Sequence, residues 1–193
     1  MSGLNIVGSQ RSDETEREEN DYYATDPRAI QDLVRFEIIN GNVWENAVGE
    51  GNLFYELEKL PNTKVIGTDL IDRANGKFKC RDFLKHDDTT TNTKVDWIIT
   101  NPPYKYGKEW VEKSINSVKD NGKVALLMKL VWLESADRYE MFKKLPLKAV
   151  YVYSKRLGVY KNNEKTKNSG LVAYAWFVFD KEYKGKPIID WIL

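Results

Sequence analysis

Four short apolar runs, Val43–Val48, Lys64–Asp69, Val95–Thr100 and Val124–Met128, alternate with stretches of helical spacing, and this alternation leaves the chain few ways to fold. Runs that are apolar on successive residues need cover on both faces. The pattern therefore predicts an α/β domain: a mostly parallel sheet with helices on both sides. The helical segments have recognisable ends. Asp26-Pro27 places a capping carboxylate before a first-turn proline, where the missing amide costs nothing. Ile30, Leu33, Val34 and Ile38 then recur at helical spacing until Gly41. A second helix runs from Asn52 to Leu60, closed by Pro61-Asn62. A third carries Trp110, Val111, Ile115 and Val118 between Gly107 and Asp120, ended by Asn121-Gly122, and a fourth spans Leu133 to Lys144. The stretch from Ile71 to Thr93 is less regular. Among the last residues, Leu147–Tyr153 and Leu171–Phe179 read as a hairpin-like pair with a long loop, followed by Ile188–Leu193.

A chain of 193 residues suffices for one domain with a proper core. Thirty basic residues oppose twenty-nine acidic ones, a formal charge of +1, so no global attraction to a polyanion is implied. No apolar run approaches the roughly 20 residues a bilayer needs, and the first residues are polar; no membrane partner is expected, and the expected location is cytoplasmic. The single cysteine, Cys80, excludes an intramolecular disulfide and reads as a semi-buried small hydrophobe. The single histidine, His86, leaves too few soft ligands for a zinc site, and no metal is expected. Six carboxylates against one arginine between Ser12 and Asp21 bury little apolar surface. Residues 1–21 therefore read as a mobile acidic tail and 22–193 as one folded domain.

In open parallel sheets, ligands bind beyond the carboxyl ends of the strands, where loops and helix starts converge. Four strand ends here carry chemistry-bearing residues. Glu45-Asn46-Ala47-Val48-Gly49-Glu50-Gly51-Asn52-Leu53 puts two glycines at a strand-to-helix junction, which allows close approach of a ligand to the backbone; a plain structural turn is the other reading. The loop lacks the third glycine of a dinucleotide site and the Gly-Lys-Ser/Thr of a triphosphate site. Asp69 ends the next strand, where a carboxylate can accept both hydroxyls of a ribose, and Asp72 competes for that role. Asp82-Phe83 offers an acid for an exocyclic amine and a ring to flank a base, or a loop aspartate beside a core phenylalanine. Asn101-Pro102-Pro103-Tyr104 follows the third run directly. Its prolines hold the backbone extended and keep Asn101 out of a helix. Asn101 Oδ1 and the Pro102 carbonyl can then accept from one NH2 group, while Tyr104 offers a face for a planar base.

A basic segment stands apart from these strand ends. Lys143 to Asn168 holds eight Lys/Arg and one acid, Glu164. Within it, Lys155, Arg156, Lys161, Lys165 and Lys167 fall in the long loop between the last two long runs, interleaved with Tyr153 and Tyr160. Such a loop suits phosphate contacts of salt-dependent strength; a solvated loop without a partner is the alternative.

On these residues the chain resembles the S-adenosylmethionine-dependent amino methyltransferases that carry an Asn-Pro-Pro-Tyr motif. Among them it is most similar to the short DNA adenine (N6) enzymes of phages and prophages. The resemblance runs from about Tyr22 to Trp191, with Asn101 to Tyr104 carrying most of its specificity. It implies a Rossmann-like class I methyltransferase fold, a seven-stranded mostly parallel sheet whose one antiparallel strand suits Leu171–Phe179. It also implies that Asn101, Pro102, Pro103 and Tyr104 form the catalytic corner. Tyr23, Thr25 and Pro27 would lie at the methionine end of the cofactor, and Glu45, Ala47, Gly49, Gly51 and Leu53 would form the cofactor loop. Val48 stands where that loop often has a cysteine. Asp69 and Leu70 would face the ribose, Asp82 and Phe83 the cofactor adenine, and Asn101 would touch the cofactor as well as the substrate. The implied cofactor is S-adenosylmethionine, released as S-adenosylhomocysteine, with no metal. DNA is the implied partner. Only Phe83 to Thr100 separates the cofactor and catalytic motifs, which leaves no room there for a target-recognition domain. Sequence preference is therefore expected to be short or loose, or supplied by a separate specificity partner. Two alternatives share the pattern: the same fold acting on a protein glutamine amide or an RNA base amine, and a non-catalytic S-adenosylmethionine-binding subunit.

Overall fold

The computed structural model describes residues 23–86, 94–161 and 172–193. The acidic stretch 12–21, Leu171, Lys165 and Lys167 lie outside the described residues. The chain opens with β1 (Tyr23–Thr25), α1 (Arg28–Leu33), β2 (Gly41–Glu45), α2 (Asn52–Glu58), β3 (Thr63–Asp69), β4 (Lys79–Cys80) and β5 (Val95–Thr100). A 3-10 turn (Tyr104–Tyr106), α3 (Gly107–Ser117), β6 (Val118–Lys129), a second 3-10 turn (Leu130–Leu133) and α4 (Ala136–Lys144) follow. The chain ends with β7 (Leu147–Tyr153), β8 (Val159–Lys161), β9 (Tyr174–Asp180) and β10 (Ile188–Ile192).

Eight strands form one sheet in the order β10-β7-β9-β6-β5-β2-β3-β4. Only β9 is antiparallel, to β6 on one side and β7 on the other; the remaining neighbours are parallel. The antiparallel strand is thus where the sequence placed it. The strand number differs from the expected seven because β10 adds itself outside β7, from Ile188 beside Ala149 to Ile192 beside Tyr153. β4, only two residues long, supplies the opposite edge beside Asp69 and leaves Cys80 exposed rather than half-buried.

Side-chain alternation divides the core into two layers. Trp97, Ile99, Ala125, Leu127, Trp176 and Val178 face the layer covered by α1 and α2 through Ile30, Leu33, Leu53 and Leu57. Ile98, Val124, Leu126, Met128, Phe177 and Phe179 face the layer covered by α3 and α4 through Trp110, Val111, Ile115 and Met141. Both faces of the central strands are dry, as their unbroken apolar runs require. Among the described residues, no helix is long and apolar enough to cross a membrane.

Several element ends depart from the sequence reading. The first helix stops at Leu33, and Ile38 is 85% exposed. The expected end of the third helix at Asn121-Gly122 instead falls inside β6, where the pairing jumps from Val95–Val118 to Trp97–Lys123. The turn signal there marks a bulge within the strand rather than its start. The fourth helix starts at Ala136, with the Ser135 hydroxyl accepting from the Asp137 N–H. The ribbon of β1 and β8, antiparallel with Thr25 opposite Val159, had no local signal at all.

At the amino end of the sheet, away from the strand ends singled out above, Glu37 is 3% exposed. It accepts from Lys148 Nζ at 2.7 and 2.8 Å and from the Tyr151 hydroxyl at 2.7 Å, with Lys123 Nζ 3.7 Å away. Burial and the Glu37 charge together push the Tyr151 phenol well above its ordinary range, so Tyr151 stays a donor. Removing the ammonium leaves a buried carboxylate short of its main counter-charge. Lys148→Met is expected to lower unfolding stability by about 3 kcal/mol in urea titrations, with Glu37→Leu/Lys148→Met recovering part of the loss.

Candidate functional site

From β2 the chain builds outward to β3 and β4, then returns to lay β5 and β6 on the other side of β2. The two directions of growth leave a crevice above β2 and β5, where a doubly wound sheet takes its ligands. The glycine loop leaves β2 on one side of it and Asn101-Pro102-Pro103-Tyr104 leaves β5 on the other.

The glycine loop is stitched to the end of β3. Val48 N–H donates to the Thr68 carbonyl at 3.0 Å, Gly49 N–H to Asp69 Oδ2 at 2.7 Å, and Gly51 N–H back to the Val48 carbonyl at 2.9 Å. Gly49 (φ +57°) and Gly51 (φ +96°) both occupy the left-handed region. At Gly51 a Cβ would also lie 2.7 Å from the Tyr55 ring. The loop therefore needs glycine for both conformation and space. Leu53 is buried below it, and Ala47 is half-buried.

Under this loop sits a carboxylate, Glu45, only 2% exposed. Burial drives its pKa well above the ordinary 4.5; the neighbouring Asp69 charge adds to the rise, and an N–H from Phe54 opposes it. Glu45 Oε2, Asn46 Nδ2 and Thr100 Oγ1 are all buried with no hydrogen-bond partner. Glu45 and Asn46 stand at the end of β2 and Thr100 at the end of β5, the neighbouring strand; Phe54 of α2 meets Glu45 and Trp110 of α3 meets Asn46, so the two side chains serve opposite faces. Asn46 is oriented by its carbonyl, which accepts from Trp110 Nε1 at 3.0 Å.

Asp69 and Asp72 separate clearly. Asp72 spends both oxygens on Gly76 N–H, at 3.0 and 2.8 Å, and one on Ala74 N–H, closing an exposed turn. Asp69 stands at the strand end against Gly49, with Oδ1 accepting from Ile71 N–H at 3.1 Å and 3.6 Å from the Arg73 guanidinium. Leu70 beside it is 58% exposed. Asp82 accepts from the Leu84 and Lys85 N–H groups at 3.1 and 3.2 Å. Partial burial opposes ionisation there, but the Lys85 backbone and ammonium outweigh it and hold the carboxyl below its usual range. Phe83 is 2% exposed, edge-on to Trp44 and against Trp110. It forms part of the core wall beside Asp82.

The corner after β5 is held from two sides. Asn101 Nδ2 donates to Thr25 Oγ1 at 2.9 Å, and the Tyr104 hydroxyl donates to Asn101 Oδ1 at 2.8 Å. Pro102 is buried; Pro103 is exposed and extended (φ −63°, ψ 114°). The Tyr104 ring lies near Tyr174 (6.2 Å between centroids) with Lys129 Nζ 4.8 Å over it. Sequence reasoning named Tyr104 as a ring alone and missed its hydroxyl, the Thr25–Asn101 bond and the approach of Lys129. No local signal marks contacts between residues this far apart in the chain. Pro27 is exposed and takes the N-cap position just before α1, where the sequence placed Asp26, and Tyr23 enters through its backbone, opposite Lys161. Lys155 and Arg156 are exposed just past β7. The segment then returns as β8 to pair with β1, which carries Thr25, so the root of the basic loop stands beside the Asn101 corner.

No family model and no curated protein matches the chain. Solved structures do match it. A Listeria monocytogenes protein assigned as a class I S-adenosylmethionine-dependent methyltransferase aligns with a TM-score of 0.59 at 12% identity, over 86% of this chain and 62% of that one. A modification subunit assigned to a type I restriction enzyme of Vibrio vulnificus YJ016 aligns at 0.59 and 14% identity, over 86% and 45%. The ribosomal protein L11 methylase of Lactobacillus delbrueckii subsp. bulgaricus aligns at 0.52 and 15% identity, over 80% and 77%. The chain thus spans less than two thirds of the Listeria and Vibrio proteins. Its fold is the Rossmann-like class I methyltransferase fold, with eight strands in the sheet.

The raised pKa of Glu45 has a measurable consequence. A carboxyl whose folded pKa lies above its unfolded value costs stability as pH rises from the ordinary glutamate range through the folded pKa. Glu45→Gln, neutral at all pH, is expected to be more stable than the parent at pH 8. The difference should close as pH falls toward 4.5, read by thermal unfolding of the ligand-free proteins at each pH.

Proposed function

We propose that this chain transfers a methyl group from S-adenosylmethionine to the exocyclic amine of adenine in DNA, with short or loose sequence preference. One observation carries the reading. The glycine loop with Glu45 and Asp69, and the Asn101–Pro102 pair, leave the carboxyl ends of three neighbouring parallel strands of a methyltransferase fold, and Thr25 bonds to both Asn52 after the loop and Asn101. The residues fit such a cofactor. Buried polar atoms without partners in native proteins call for a ligand or water, and here an acceptor (Glu45 Oε2) and a donor (Asn46 Nδ2) stand on consecutive residues just before the glycines. Glu45 suits an ammonium, Asp69 a pair of ribose hydroxyls, and Asp82 an exocyclic amine at the far end. Tyr23, Thr25 and Pro27 border the methionine end, and Gly49 and Gly51 allow close approach at the loop.

The cofactor, when bound, supplies a methyl group made electrophilic by its sulfonium. The remaining work falls to the chain. An adenine amine is a poor nucleophile because its lone pair is delocalised into the ring. Asn101 Oδ1 and the Pro102 carbonyl accept its two N–H groups, which favours a pyramidal nitrogen and concentrates negative charge on it. The two prolines keep these acceptors rigid, so that alignment rather than reorganisation sets the barrier. Tyr104 presents its ring to the base, and in duplex DNA the adenine leaves the stack to reach it. Lys155 and Arg156, exposed near the corner, contact phosphates, together with Lys161, Lys165 and Lys167 of the same loop. The Vibrio neighbour, a restriction modification subunit, supports DNA as the partner and leaves room for a separate specificity subunit. The L11 methylase neighbour makes a protein an acceptor to test beside DNA, together with an RNA base amine.

Incubation with methyl-labelled S-adenosylmethionine and mixed DNA, RNA and protein acceptors, followed by nucleoside and amino-acid analysis, is expected to yield N6-methyladenine in DNA. Label confined to RNA or protein overturns the DNA assignment, and no label at all overturns the enzyme. Asn101→Ala is expected to cut turnover by a factor of about 1,000 while S-adenosylhomocysteine still binds, read by calorimetry. Removing Lys155 and Arg156 together should weaken duplex binding and flatten the slope of log affinity against log salt by about 1.8, two phosphate contacts' worth.

A further inference from the structure

The two hydroxyls that grip Asn101 are not equivalent. A carboxamide turned by 180° keeps its shape but exchanges acceptor for donor, so a group that must accept from an amine needs its orientation held. A phenol is more acidic than an alkyl alcohol, so the Tyr104 hydroxyl is the better donor and the Thr25 hydroxyl the better acceptor. Placed on opposite sides of the amide, they select the orientation in which Nδ2 faces Thr25 and Oδ1 faces Tyr104. One lone pair of Oδ1 is then left for a substrate N–H.

Thr25 is built to do this without help from a ligand. Its side chain is 4% exposed, so water has little room to replace it. Its backbone is pinned opposite Val159 in the β1–β8 ribbon, its carbonyl accepts from Asn52 Nδ2 at 3.2 Å, and the next residue's N–H donates to Gly158 at 2.9 Å. Through Asn52 the same residue is tied to the start of α2, directly after the glycine loop. We propose that Thr25 is a positioning residue: its hydroxyl fixes the Asn101 amide with Oδ1 toward the acceptor amine, a role separate from any contact with the cofactor. The inference rests on the proposed methyl transfer. Without the hydroxyl, Nδ2 faces a buried methyl that accepts nothing, and only the Tyr104 bond is left to oppose the turned amide, in which Nδ2 points at Tyr104 and the substrate. A donor would then meet a donor at the reacting nitrogen.

The test compares wild type, Thr25→Val and Thr25→Ser in single-turnover methylation at saturating cofactor and DNA, with S-adenosylhomocysteine affinity by calorimetry. Thr25→Val is expected to slow the single-turnover rate at least tenfold, with cofactor affinity and the KM for DNA within threefold of wild type; Thr25→Ser is expected to restore the rate to within threefold. In the Asn101→Ala background, Thr25→Val should cost nothing further, because the group it positions is gone. A Thr25→Val rate within threefold of wild type overturns the inference. So does a tenfold loss of cofactor affinity at unchanged saturated rate, or a serine variant as slow as the valine one. Should Thr25→Val fail to fold by circular dichroism, Thr25→Ala is judged by the same readouts. A wild-type chain that binds S-adenosylhomocysteine but methylates no acceptor overturns the function first and this inference with it; the variant outcomes overturn the inference alone.

Discussion

Reversal of strand order at β2 is the constraint on which the rest depends. Parallel strands need crossovers, and crossovers that start from β2 toward one edge and resume toward the other cannot fill the space above the strand where they part. That space receives the glycine loop from β2, Asp69 from β3 and the Asn101 corner from β5. Their convergence requires no contact between the three loops in sequence. It follows from strands that share a direction and end at one edge of the sheet.

Two buried carboxylates show how differently the two ends of that sheet are used. Glu37, at the amino end, meets an ammonium and a phenol, and its oxygens are satisfied. Glu45, at the carboxyl end, has one oxygen without a partner and an acidic neighbour in Asp69. The first arrangement secures the chain after α1 to β7. The second leaves a buried acceptor unpaired beside a second carboxylate and lowers stability, and such concessions are commoner at functional sites than in scaffolds.

Much of this was readable in advance, for identifiable reasons. Val95–Thr100 and Val124–Met128 are apolar on successive residues, which only a strand covered on both faces tolerates, so the layered parallel sheet followed from periodicity. The rigid Asn101-Pro102-Pro103-Tyr104 corner was visible because proline restricts the backbone locally. The bulge at Asn121-Gly122 misled, since a turn signal has the same composition whether it ends an element or interrupts one. The β1–β8 ribbon escaped notice because three-residue strands bury too little to leave a pattern, and its pairing is decided by where the ends of β7 and α1 lie.

The amino-acid sequence by itself determined the strand alternation, the tight glycine turn after β2 and the proline-held corner at Asn101, because each is a property of neighbouring residues. Only the tertiary structure decided that Asp69 and not Asp72 stands against the glycine loop, that Phe83 faces inward, and that Thr25 meets Asn101. Those outcomes depend on distances between segments far apart in the chain. Such distances are set by how helices pack on both faces of a twisted sheet, which no local run of residues encodes.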